Sequence, residues 1–93
     1  MIKTNIFGED RLVVVAGQDY DIPNKIKLTD LPKYELLLRE VGSAPRRILD
    51  SALAVKGVKI THPRMESISN MIIIALAINN KGVGILPADI VKR

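Results

Sequence analysis

The chain contains no cysteine, one histidine and only three aromatic residues, Phe7, Tyr20 and Tyr34. The lack of cysteine excludes disulfide staples, thiol catalysis and zinc–thiolate sites together, and is compatible with the cytosol. With so few aromatics the core has to be built from Ile, Leu and Val, which suits strands and helices packed in layers. Long apolar runs are also missing. The longest, residues 71–78, is eight residues, far below the ~20 that cross a bilayer. The opening MIKTNIFGEDR holds no continuous apolar stretch of the signal-peptide kind. A soluble, cytoplasmic protein without membrane contact is expected.

The 93 residues allow one small domain, and 47% of them are apolar, enough for a core. The net charge of +4 raises the question of nucleic acid. Basic residues are scattered from Lys3 to Arg93, however, and adjacent only at Arg46–Arg47 and Lys92–Arg93. No aromatics interleave with them to form a base-stacking platform, so direct nucleic-acid binding by this chain is not expected.

Residues 1–10 read as a leader segment. The β-branched run RLVVVAG at 11–17 predicts a buried strand, and the turn formers Asp19, Asp21, Pro23 and Asn24 predict a loop after it. Residues 29–32 (TDLP) suggest a capped single turn, and residues 35–39 a second strand. GSAP at 42–45 opens a helix with Ser43 as its N-cap. Ile48, Leu49, Ala52 and Leu53 share one face of it, Arg46, Arg47, Asp50 and Ser51 take the other sides, and Gly57 stops it. Residues 58–61 alternate and predict a third strand. Glu66 and Ser67 start a second helix that runs to about Asn79 and is apolar on nearly every side. Residues 83–86 predict a fourth strand and residues 87–92 a short closing helix. The order β, β, α, β, α, β, α predicts an α/β fold with a mostly parallel sheet flanked by helices.

Residues 35–50 (ELLLREVGSAPRRILD), the Asp30–Leu31 turn before them, SALA at 51–54 with Gly57, the Glu66-Ser67-Ile68 helix start and the GVGILP return at 82–87 carry a resemblance. In their order and spacing they resemble the second subdomain of the effector-binding region of LysR-type transcriptional regulators, over roughly residues 11–91. The resemblance implies one lobe of a type 2 periplasmic-binding-protein-like fold. It also implies a small-molecule effector held in the cleft against a first lobe, and output through a helix-turn-helix. Neither of those partners fits in the ten residues before Arg11, so both are expected as missing parts of the same protein. The sequence departs from the family at three places. Asn80 stands where the family usually has glycine, but asparagine tolerates the left-handed conformation and preserves the cap. Residues 18–23 replace the family's His-Pro-Leu loop. Pro45 replaces a frequent threonine and supplies neither hydroxyl nor N–H, so anion capture there is expected to be weaker or differently shaped.

A helix N-terminus that follows a strand presents free N–H groups and the positive end of the dipole, which suits a small carboxylate. Gly42, Ser43 and Ala44 occupy such a position, and Arg46 adds charge. Glu66 and Ser67 are expected on the same edge of the sheet, with Ser67 as a second contact. The alternatives are that Ser43 and Ser67 only cap helices, that Arg46 is solvated and that Glu66 only answers the helix dipole. His62 has no neighbouring ligands, so neither a metal site nor a cofactor is expected. Ser43, Ser51, Ser67 and Ser69 lack a base at readable spacing. There is no G-x-S-x-G elbow, and Gly82-Val-Gly84 leads into a strand rather than a helix, so catalysis is not expected. The apolar second helix predicts self-association, or contact with the missing lobe. A transport-type solute-binding lobe and a stand-alone interaction module are the competing readings.

Overall fold

Every side chain of residues 12–16 is aliphatic, so a strand there is stable only with both faces covered. The computed structural model, which describes residues 2–6 and 11–91, shows that cover. The elements are β1 (Ile2–Ile6), β2 (Leu12–Gly17), a 3-10 turn (Leu28–Lys33), β3 (Leu36–Arg39), α1 (Ala44–Val55), β4 (Met65–Ser67), α2 (Asn70–Ile78), β5 (Val83–Pro87) and α3 (Ala88–Val91). The strands form one sheet in the order β1-β2-β5-β3-β4. On one face, Leu12, Val14, Leu36, Leu38 and Ile85 pack with Leu49 and Leu53 of α1 and with Leu31 of the 3-10 turn. On the other face, Val13, Val15, Leu37 and Leu86 pack with Ile73 and Ala77 of α2. Burying a side chain such as Leu31 or Leu53 stabilises the fold by about 1.5–3 kcal/mol.

The sheet is mixed rather than mostly parallel. β3 runs parallel to both β4 and β5, whereas β2 is antiparallel to β5 and β1 antiparallel to β2. The reason lies between β2 and β3. Residues 18–35 contain only a loop and a 3-10 turn, without the α-helix that usually carries a parallel crossover, and β2 pairs with β5 rather than with β3. Residues 2–6, inside the segment read as a leader, form β1, paired from Ile2 with Gly17 to Ile6 with Val13. The rest of that segment, Met1 and residues 7–10, lies outside the described residues, as does Lys92 of the expected closing helix.

Two expectations shift along the chain. Residues 58–61 are not a strand. The Val58 N–H is spent on the Leu53 carbonyl (2.9 Å), and Val58 and Ile60 instead lay their side chains on the core. The strand is Met65–Ser67, paired in register with Leu37, Leu38 and Arg39. Glu66 and Ser67 therefore end a strand, and α2 begins at Asn70 with Ser69 as its cap. A three-residue strand is too short to show alternation.

α1 and α2 end the same way. In α1, Gly57 N–H donates to the Ala54 carbonyl and Val58 N–H to that of Leu53. In α2, Asn80 and Lys81 repeat the pattern on Ala77 and Leu76. This is the Schellman closure, and its left-handed residue is Gly57 (φ 70°) in one case and Asn80 (φ 60°) in the other. Gly84 serves a different purpose, because a Cβ there would lie 2.7 Å from Ile73 Cγ2 of α2.

The two glycines therefore fail differently on substitution. Gly57→Ala has open space around it and only the left-handed backbone to strain, for a loss of about 1 kcal/mol. Gly84→Val forces α2 off the sheet and is expected to cost about 1–3 kcal/mol. Urea denaturation midpoints distinguish the two.

Candidate functional site

β3 and β4 lie side by side and parallel, with Arg39 opposite Ser67 at their C-terminal ends. From there the chain diverges. The connection from β3 to β4 carries α1 over one face, and the connection from β4 back past β3 to β5 carries α2 over the other. Crossovers of one hand running in opposite directions produce this split. The loops leaving two neighbouring parallel strands thus part company and open a crevice. This is the topological switch point, where open α/β sheets hold ligands.

Residues 42–44 and Ser67 come to that edge, as the sequence suggested. Ser43 Oγ accepts from Arg46 N–H (3.2 Å) and caps α1. Ser67 is buried, and its Oγ accepts from Ser69 N–H (3.0 Å). Ser69 in turn caps α2, its Oγ accepting from Ile72 N–H (3.2 Å). Neither helix has an acidic residue in its first turn. Such a start leaves the positive end of each dipole without an internal counter-charge.

Arg46 and Glu66 also meet, but in a different role. Arg46 lies on the sheet side of α1 and is only 6% exposed, not on the solvent side where its spacing put it. Its Nη1 donates to Glu66 Oε2 (2.7 Å) and to the Arg39 carbonyl (3.0 Å), and its Nε donates to Asp50 Oδ1 (3.2 Å). Burial works against the Arg46 charge, but the bonds to Glu66 and Asp50 outweigh it and hold the guanidinium pKa above its ordinary value. Arg46 therefore joins α1 to β4 and to the end of β3. Glu66 does not answer a helix dipole, because the helix starts four residues later.

Sequence reasoning missed Arg39, Ser69 and Asn70. Arg39 stands at the C-terminal end of β3, mostly buried, with Nε on Glu40 Oε1 (3.0 Å) and Nη1 on Asn70 Oδ1 (2.8 Å). It bridges the two loops of the crevice. The hydrogen bond from Arg39, followed by one from the Glu40 backbone, holds the Glu40 carboxyl below the usual carboxylate range. A cation closing an otherwise apolar strand is the signal that marks it. Beside α1, an apolar hollow of about 510 Å3 is lined by Leu12, Ala44, Pro45, Ile48, Pro87 and Ile90, among others. Among the described residues no three metal-ligating side chains cluster, and no helix is long and apolar enough to cross a membrane.

The two ends of the Arg46–Glu66 pair differ in worth. Arg46→Met leaves the Arg39 carbonyl and two carboxylates without their donor and is expected to cost about 2 kcal/mol. Glu66→Gln removes a partner that is 39% exposed, so water compensates and the expected cost stays below about 1 kcal/mol. Thermal melts of both variants check the asymmetry.

Residues 2–93 match the family model of the LysR substrate binding domain. No curated protein matches the chain. Domains of this family have a periplasmic-binding-protein-like α/β fold and serve as the effector-binding, regulatory parts of transcriptional regulators, which are not enzymes. The mixed sheet with α1 and α2 on opposite faces and its crevice at the ends of β3 and β4 fit that fold, and the chain belongs to the LysR substrate-binding domain family.

Proposed function

We propose that the chain is the second lobe of a two-lobed effector sensor, and that its effector is a small organic anion, a carboxylate, held at the switch-point crevice. The observation that carries this reading is the charge pattern there. Two serine-capped helix starts carry no acid, and Arg39, bonded to Asn70 at the second of them, has Glu40 as its one charged partner among the described residues. A cation beside the N-terminus of α2 opposes the helix dipole, and a bound anion satisfies both at once. In this reading Gly42, Ser43 and Ala44 present the α1 terminus, Ser67 shapes the floor, and Arg46 with Glu66 holds the β3–α1 turn in place. A first lobe closes the cleft and a helix-turn-helix delivers the output. The effector acts by favouring one arrangement of the lobes over another, in the cytoplasm.

Isothermal titration of the chain with a panel of small mono- and dicarboxylates tests the site. The best binder is expected to lose about tenfold in affinity in Arg39→Met, and less in Ser43→Ala, where only the cap is lost. An unchanged affinity in both variants overturns the reading.

We further propose that the chain associates with a second copy through α2. Ile68 (79% exposed), Met71 (70%), Ile72 and Ile78 face solvent from one helix and its lead-in. Residues 67–80 contain no ionisable side chain to oppose a like surface. Sedimentation velocity is expected to show a concentration-dependent dimer that Met71→Lys returns to monomer.

A further inference from the structure

A groove of about 640 Å3 runs along the flank of α1, between that helix and residues 58–63 of the connection into β4. Ser43, Ser67 and Ser69 of the switch-point crevice do not line it. Its walls are apolar, with Leu53, Val58, Ile60 and Pro63 among them, and its size falls within the roughly 300–1,000 Å3 of small-molecule clefts. Its floor is charged. Arg46 lies between Asp50 and Glu66, so one guanidinium faces two carboxylates. Arg46 bonds Oδ1 of one and Oε2 of the other, and both carboxylates are partly open to solvent, at 47% and 39%.

This arrangement selects by charge. An entering anion meets two carboxylates and an arginine already bonded to both of them and to the Arg39 carbonyl. An entering cation meets carboxylate lone pairs that Arg46 leaves open. Lys59 also lines the groove, but it is exposed, and a solvated ammonium on a flexible stem opposes a second cation only weakly. The geometry points to a second small-molecule site here, one that takes an organic ammonium ion with an apolar body. The ammonium donates to Asp50 and Glu66, and the body lies against Leu53, Val58 and Ile60. The charge preference is opposite to that proposed for the crevice, and the inference does not depend on that proposal.

Titration of the 15N-labelled chain with phenethylammonium chloride, followed through amide chemical shifts, is the test. Saturable shifts are expected at Ala54 and at residues 58–61. Phenethyl alcohol, which keeps the body and loses the charge, is expected to bind at least about tenfold more weakly, and 3-phenylpropanoate to leave these amides unmoved. Asp50→Asn is expected to weaken ammonium binding by about tenfold. Ala54→Trp, at an exposed helix position on the groove wall, is expected to abolish the shifts while the spectrum stays dispersed. The site is refuted if millimolar ammonium leaves residues 58–61 unmoved, if the alcohol binds as well, or if the shifts gather around Ser43 and Asn70 instead.

Discussion

The sheet has no face to spare for water. β2, β3 and β5 bury aliphatic side chains on both sides, so each side must carry its own layer, and two helices have to be delivered to opposite faces by one continuous chain. A chain of this length meets that demand by sending one crossover outward to the β4 edge and the next one back. The crevice at the ends of β3 and β4 follows from that route without any further design. The polar residues gathered there are the ones the chain passes as it turns from one face to the other: Arg39 and Ser43 on the way to α1, Ser67, Ser69 and Asn70 on the way to α2.

A buried arginine near this junction has to be answered, because an unpaired charge out of water costs far more than a hydrogen bond returns. Arg46 is answered from three directions. Asp50 lies one turn along its own helix, Glu66 lies across on β4, and the Arg39 carbonyl caps the end of β3. Each partner belongs to a different element, so the charge orders a helix and two strands relative to one another. Solvent reaches the two carboxylates but hardly reaches the guanidinium. The arginine is thus the fixed member of the group and the acids are the replaceable ones.

What was legible in the sequence was mostly what depends on near neighbours. Ser43 as a cap, Gly57 as a stop and Asn80 in glycine's place are decided within one helical turn, and the structure shows all three. The run at 12–16 announced a buried strand because no alternation relieved it. The misplaced elements depend on distant partners. Met65–Ser67 is a strand only because Leu37–Arg39 lies beside it, and residues 58–61 fail to be one because Val58 is committed to closing α1. Arg46 looked solvated on helical spacing alone, since Glu66 lies twenty residues away. Arg39 drew no notice because its partner Asn70 lies thirty-one residues away, across the crevice.

The seating of α2 gives the molecule an uneven stiffness. At Gly84 only the Ile73 and Ala77 side chains stand between the helix and the strand, and at Gly17 an added Cβ would press on the Ala77 and Ile78 carbonyls at 2.7 and 2.9 Å. At these two glycines the close approach leaves little room to compress. α1 instead rests on leucines and on a loop whose Val58 and Ile60 are only half-buried, so its flank can yield by side-chain motion. The crevice between the two helices therefore has one rigid jaw and one compliant jaw. A force applied there is taken up on the α1 side, and α2 acts as the anvil against which it is registered.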